Sequence, residues 1–326
     1  MKKIIALMMV FVLSISMLAG CGGGNAENET ADGVKILLTL SSNDTFRQNL
    51  VDAAESTAKS LGAASFDIRD SEGSLENQLS HIREAVSGGY DVILCNPVDI
   101  DTTLQLQLEA GELPIVFFNS CPAEERLEKG KYVFAGSNEE DAGKYQAEYI
   151  LEKYKDKDTL NVAIFEGQKL HPASLGRTNA LKSALRKSGK TINFVFDDYA
   201  DWDTELAAKE FETFLKTGQD VDVVACNNDS MALGVIQVCE EKNLDFKNIT
   251  ILGVDATADG CKAIEDGKMQ FTVCQSATGQ GEYAVKAAAN LAKGKSLKGL
   301  NYLSGDEKYV WVPFEKVDSS NVKEYE

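Results

Sequence analysis

Short clusters of hydrogen-bonding side chains punctuate this chain, and most of them follow a run of apolar residues. They are Ser41-Ser42-Asn43-Asp44 with Thr45-Phe46, then Asn119, then the stretch from Glu166 to His171, and Asp198 to Trp202. Asn227-Asn228-Asp229, Asp255 and Gln275 complete the set. Carboxylates accept hydrogen bonds from hydroxyls, primary amides both donate and accept, and a neutral imidazole does one of each. Phe46 and Trp202 add flat apolar area at low conformational cost. That mixture suits recognition of a hydroxyl-rich ligand. Turnover signals are missing. No glycine-rich phosphate loop follows a predicted strand, there is no Gly-x-Ser-x-Gly elbow, and His171 has no serine or cysteine nucleophile near it in sequence.

Each of these residues also has a structural reading. Asp44 and Asp229 stand where helix N-caps belong, as does Asp203. His171-Pro172 could open a helix, because proline suits the first turn. Phe46 could be core, and so could Trp202, although Asp201 and Asp203 beside it argue for a partly wet position. Arg177 could simply pair with a carboxylate on its own helix.

What joins them is their placement. The spacing predicts strands over 34–40, 65–69, 92–95, 115–118 and 132–135, with helices over 46–61, 75–87, 102–110 and 139–154 between and after them. A second series predicts strands over 162–165, 192–196, 221–225, 249–254 and 271–274. Its helices fall over 173–187, 204–216, 230–242 and 258–266, and a helix over 279–292 and a strand over 309–312 remain. Strand–helix alternation repeated twice implies an α/β protein with two doubly wound parallel sheets. Ligands of such sheets sit outside the carboxyl ends of the strands, where the clusters fall.

Composition narrows the classes. The chain has 326 residues, 44% hydrophobic and 26% charged, which fits a folded globular protein of about two domains. Its formal net charge of −18 disfavours nucleic acid as a partner. Lys2 and Lys3 precede an apolar run over 4–18, too short to span a bilayer and followed by small residues. This is the pattern of an export signal. Its end, Leu18-Ala19-Gly20-Cys21, resembles the bacterial lipobox, whose cysteine is lipidated and becomes the new N-terminus. Gly22-Gly23-Gly24 and an acidic stretch to Gly33 then read as a flexible tether reaching about 20 Å. The other cysteines form no C-x-x-C pair, and His81 and His171 are the only histidines, so neither a zinc site nor another cofactor is expected. Cys95 and Cys121 could form a disulfide or remain buried thiols.

Taken in order, these segments resemble the sugar-binding proteins of ABC importers, and among them the galactose/glucose-binding branch. The likeness runs from Val34 to Tyr325. It is carried by Asn43-Asp44-Thr45-Phe46, Ile115-Val116-Phe117-Phe118-Asn119, His171-Pro172 with Arg177, and Trp202-Asp203-Thr204. Asn227-Asn228-Asp229-Ser230-Met231-Ala232, Gly253-Val254-Asp255-Ala256 and Val312-Pro313 continue it. It implies a type I periplasmic binding protein fold, with two lobes joined by three crossing segments near 136–138, 275–277 and 304–308. The expected organisation is a lipoprotein signal over 1–20 and a lipidated Cys21 with tether over 21–33. The first lobe would be 34–136 plus 277–305, and the second 138–275 plus 308–326.

The resemblance also implies roles. Phe46 and Trp202 would sandwich a sugar ring, and Asp44 and Asp255 would accept from its hydroxyls. Asn119 and Asn228 would donate and accept, His171 would contact a hydroxyl, and Arg177 would face the ring oxygens. Gln275 stands where the branch has asparagine, and a ribose-binding branch has glutamine there. Ala173 replaces an aspartate close to the anomeric end. The branch's calcium loop is missing, since Lys155-Asp156-Lys157-Asp158 is too short for it, and no metal is expected. The expectation is a monomeric, membrane-anchored, non-enzymatic receptor that hands a galactose- or glucose-like hexose to an ABC permease. A pentose or furanose such as ribose is the alternative ligand. A sugar-responsive repressor would need a basic DNA-binding segment, and an exported enzyme using Asp44 and Asp255 would need a turnover motif.

Overall fold

The computed structural model describes residues 30–325, so Cys21 and the expected export signal lie outside the described residues. The chain forms two six-stranded sheets with helices on both faces. The first contains β1 (Lys35–Leu40), β2 (Ser65–Asp70), β3 (Val92–Cys95), β4 (Ile115–Phe118) and β5 (Tyr132–Gly136). Between them run α1 (Thr45–Ser60), α2 (Leu75–Ser87) and α3 (Thr103–Ala110). The chain then passes into α4 (Glu139–Lys153) and a second sheet of β6 (Thr159–Glu166), β7 (Thr191–Tyr199), β8 (Val223–Cys226), β9 (Thr250–Leu252) and β10 (Phe271–Gln275). The helices there are α5 (Pro172–Lys187), α6 (Thr204–Leu215), α7 (Asp229–Glu241) and α8 (Ala258–Glu265). The chain returns through α9 (Ala277–Ala292) and β11 (Tyr309–Trp311) before ending in β12 (Phe314–Asp318).

Strand order is β2-β1-β3-β4-β5-β11 in one sheet and β7-β6-β8-β9-β10-β12 in the other, the same pattern twice. In both, the order reverses beside the first strand, and that switch point opens a crevice at the strand ends. Side chains alternate across each sheet, as a period of two requires. Ile36, Leu38 and Leu40 enter one core with α1 and α9, while Leu37, Ile93 and Cys95 enter another with α2 and α3. In the second sheet Val162 and Ile164 face α4 and α5, and Ala163 and Phe165 face α6 and α7. Each lobe is thus closed on both faces by its own hydrophobic cores.

Two expectations need correction. The strand near 309–312 pairs in parallel with β5, so it belongs to the first sheet, and the chain does not cross at 304–308. The third passage lies at Val312-Pro313, after β11. A missed final strand, β12, pairs antiparallel with β10, so the second sheet is not wholly parallel. Pro313, with no N–H to give, separates two short strands that read as one tail in the sequence. Cys95 and Cys121 are free thiols. No helix among the described residues is long and apolar enough to cross a membrane.

Glycines set the closest helix contacts. A Cβ at Gly143 of α4 would run into the Arg177 carbonyl oxygen of α5, and one at Gly281 of α9 into the Leu50 carbonyl of α1. Gly143→Ala should therefore destabilise the protein by about 1–3 kcal/mol through overpacking. Gly305→Ala, with open space around it, should stay within about 0.5 kcal/mol of the parent. Urea denaturation of both variants checks this, and equal midpoints would show that α4 and α5 are not held by that contact.

Candidate functional site

The strand ends of both sheets border one cleft of about 570 Å³. From the first lobe come Ser41, Ser42, Asp44, Phe46, Arg47, Asn119 and Ser120, and from the second Gln168, His171, Ala173, Arg177, Trp202, Asn228, Asp255 and Thr257. Gln275 and Glu139, beside two of the passages between lobes, close its floor. All nine sequence-predicted ligand residues in the described chain border this one space.

Several have a structural task as well. Asp44 is the N-cap of α1, accepting from the Arg47 backbone N–H at 2.8 Å, and its other oxygen pairs with the Arg47 guanidinium. His171 caps α5, with Nδ1 accepting from the Ala173 N–H at 3.2 Å, which leaves Nε2 for other partners. Asn228, rather than Asp229, is the N-cap of α7. Its Oδ1 accepts from Met231, and its amide donates to the Trp202 carbonyl at 3.4 Å. Asp229 lies behind the cleft, fully buried, accepting from Thr272 at 2.6 Å and from the Thr257 N–H and hydroxyl at 2.8 and 3.2 Å. Burial pushes its carboxyl up to about 6 against these stabilising bonds.

Arg177 is the centre of the second lobe's site and is only 3% exposed. It donates through Nε to Glu139 at 2.7 Å, through Nη1 to the Asn227 carbonyl at 2.6 Å, and through Nη2 to Gln275 at 3.4 Å. Asp255 stands 3.7 Å from Nη1. Burial works against the Arg177 charge, but Glu139 and Asp255 outweigh it and hold the group charged. Sequence reading offered a partner on the same helix. The structure instead supplies Glu139 from α4, brought close where Gly176 passes against the Glu139 Cβ.

Glu139 and Arg47 were missed. Glu139 does follow a strand end, the signal that found the other residues, but it also opens a long helix and was read as its first turn. Its second oxygen accepts from Gln275 at 3.2 Å. Arg47 looked like an ordinary residue of an amphipathic helix.

Trp202 is held on three sides. A Cβ at Gly167 would strike its ring, His171 meets it edge-on at 5.4 Å, and the Arg177 guanidinium lies 5.7 Å from its centroid. Asn119, Trp202 and Asp255 all have positive φ, at 61°, 67° and 118°. Such backbones cost about 1–3 kcal/mol each in non-glycine residues and recur at functional sites. The Asn119 amide and the Asp255 carboxylate make no hydrogen bond with another described residue. Burial pushes the Asp255 carboxyl well up, Asp229, Glu139 and Asp44 add to this, and Arg177 opposes it. His171 is pushed down to about 4 by burial first, then by Arg177 and Arg47.

The site is therefore an array of donors and acceptors around two aromatic side chains, with no nucleophile–base pair among the described residues that line it. Two lobes with strand ends meeting at such a cleft define a solute receptor. The comparisons agree. Residues 34–296 match the family model described as a periplasmic binding protein domain. A protein of Rhizobium meliloti named for rhizopine binding is 30% identical over 287 residues, 87% of this chain and 89% of that one. The D-galactose/methyl-galactoside binding periplasmic protein of Haemophilus influenzae is 25% identical over 329 residues, covering 96% and 98%. A solved solute-binding protein of an ABC transporter from Bacillus halodurans, with bound myo-inositol, superposes with a TM-score of 0.78 at 27% identity, covering 90% and 98%. The chain belongs to the periplasmic binding protein family, in the sugar-binding group that serves ABC importers. Its members are extracytoplasmic solute receptors and not enzymes.

The shifted histidine gives a pH prediction. An unfolded histidine titrates near 6.5, and His171 in the folded chain near 4. Between those values the unfolded state binds more protons, so the contribution of His171 to stability falls as pH drops. His171→Asn keeps a good N-cap and removes this penalty. Between pH 7 and pH 5 the parent should lose about 2 kcal/mol more stability than the variant. Parallel pH dependences in urea titrations would place His171 in a wetter site than the one described.

Proposed function

We propose that the cleft binds a polyhydroxylated six-membered ring, clasped between Phe46 of the first lobe and Trp202 of the second. The observation that carries this is that two aromatic residues from different lobes border one cavity whose other lining residues are mostly polar or charged. Asp44, Asn119, His171, Arg177, Asn228, Asp255 and Gln275 supply the hydrogen bonds. A ligand touching both lobes favours the closed arrangement, which a permease can then distinguish from the open one. The lobes would move as 34–136 plus 277–311 and 138–275 plus 314–326, the expected division adjusted for β11. The receptor works as a monomer and delivers its ligand to an ABC permease. The pattern at Leu18 to Cys21 supports a lipid anchor in the membrane.

A hexopyranose related to galactose or glucose is the first reading, supported by the galactoside-binding relative and by the site residues named above. A cyclitol is the second. Ala173 in the cleft leaves no carboxylate where the branch resemblance implies one for the anomeric end, and a cyclitol has no anomeric centre. The solved relative with bound myo-inositol supports the same reading.

D-galactose, D-glucose, D-ribose and myo-inositol should be titrated while tryptophan fluorescence and melting temperature are followed. The true ligand at 100 times its Kd should stabilise by about 2.7 kcal/mol. The sequence holds two tryptophans, and Trp311 stacks on Tyr309 in β11, so Trp202 should report binding. Trp202→Ala should lose tenfold or more in affinity with little change in the unliganded melting temperature. No response to any of the four compounds would sink the ring assignment. For the anchor, the full chain expressed in a bacterium should fractionate with membranes, and Cys21→Ser should release it. Release of the unsubstituted chain would argue against lipidation.

A further inference from the structure

Arg47 is a cleft residue whose place in its helix runs against a local rule. It lies in the first turn of α1, where the helix dipole and the free N–H groups make a cation unfavourable. No acidic residue occupies that turn, and among the described residues the compensation is the capping carboxylate of Asp44. Residues that break a local rule without a packing reason concentrate at functional positions.

Its geometry points the same way. One terminal nitrogen pairs with Asp44 at 2.5 Å, so the guanidinium is anchored. The side chain borders the cleft from the first lobe, facing the second lobe's His171, whose proton affinity it lowers. Its Nε is buried and has no hydrogen-bond partner among the described residues. A buried N–H of a charged group without an acceptor is costly, and the residue that carries this one lines the cleft.

We propose that Arg47 is a specificity-setting ligand contact of the first lobe, donating through Nε to an oxygen of the bound ring. The inference rests on the polyol reading of the cleft. Because Asp44 neutralises the guanidinium, the contact asks for a neutral acceptor, a hydroxyl or ring oxygen, and not for an anionic group. It also gives the first lobe a directional bond beside the stacking of Phe46.

The test uses Arg47→Lys and Arg47→Met in the whole protein. Calorimetry is run with whichever of D-galactose, D-glucose, D-ribose or myo-inositol binds the unsubstituted chain. Lysine keeps the charge opposite Asp44 but has no N–H at the Nε position. Both variants should bind about tenfold to a hundredfold more weakly. A series of singly deoxygenated analogues then locates the partner: for one analogue, Arg47→Lys and the parent should bind alike. Arg47→Lys within twofold of the parent would show that Arg47 only steadies Asp44, and would overturn the proposal. If substitution at 47 disturbs folding, the analogue series on the parent decides: no analogue losing tenfold would also overturn it. Failure of the parent to bind any of the four compounds would remove the polyol reading itself, an outcome distinct from a tight-binding parent with an indifferent Arg47→Lys.

Discussion

The second lobe's half of the site depends on one buried guanidinium. Arg177 is nearly inaccessible and is surrounded by Glu139, Asp255, Gln275 and the Asn227 carbonyl. Removing one partner of a buried charge pair costs about 3–5 kcal/mol, because the other is left uncompensated. The network therefore fixes where α4 can lie relative to α5. The contact is possible only because Gly143 and Gly176 let the two helices approach, one against the Arg177 carbonyl and the other against the Glu139 Cβ. A packing requirement and a binding requirement are met by the same two glycines. The arrangement also prepares part of the site before any ligand arrives, since Arg177, His171 and Trp202 are already held in place. Such preorganisation reduces the ordering cost of binding.

The rest of the site follows from topology. Each sheet reverses its strand order beside its first strand, so the loops after β1 and β3, and after β6 and β8, diverge and leave room between them. Short polar residues fill those loops because the same atoms can cap the next helix. Asp44, His171 and Asn228 each serve an N-terminus and border the cleft at once. The strained backbones at Asn119, Trp202 and Asp255 belong to the same economy of short turns: the chain must aim a side chain into the cleft within a residue or a few of leaving a strand or its loop. Asn96 shows how the first lobe braces this region without touching its chemistry. It accepts from the Ser41 hydroxyl at 2.6 Å and donates to Ser120 at 3.2 Å, tying the ends of three neighbouring strands together.

Much of this was legible in the sequence, and what was hidden has identifiable causes. Strand and helix positions followed from apolar periodicity, since β3 and β4 coincide with their predicted spans and most other elements begin or end within a few residues of theirs. The resemblance and the strand-end rule together placed Asp44, Phe46, Asn119, His171, Trp202 and Asp255 at one cleft. Asp229 was ambiguous because it adjoins the true cap, Asn228, and one residue of helix phase decides which of them faces the cleft. Glu139 and Arg47 were hidden by their helical setting, where a charge reads as a solvated face. The role of Glu139 depends on Arg177 of another element, and Arg47 borders a cleft shared with the second lobe, and periodicity carries no information about either. The placement of β11 was invisible for a related reason. Three residues of strand can pair with either sheet, and only the parallel register with β5 assigns them to the first.

That assignment matters for how the lobes can move. Each lobe is closed by two cores of its own, so bending must fall on the three passages between them. The passages are tied to one another rather than loose. The Val312 N–H donates to the Gly136 carbonyl at 2.8 Å, and the Gln280 amide donates to the Ser137 hydroxyl at 3.2 Å. These bonds link the passages at Gly136 and Val312 directly and fasten Ser137 to α9. Glu139 and Gln275 sit beside two of these passages and hydrogen-bond to each other at 3.2 Å across them. Both also hold Arg177. The charge network that shapes the second lobe's wall is thus fastened to the segments between the lobes, and under the proposed function a ligand drawing on Arg177 would act directly on them. Under that proposal, binding and closure would be linked by contact through Glu139, Arg177 and Gln275, without any signal having to cross a lobe's core.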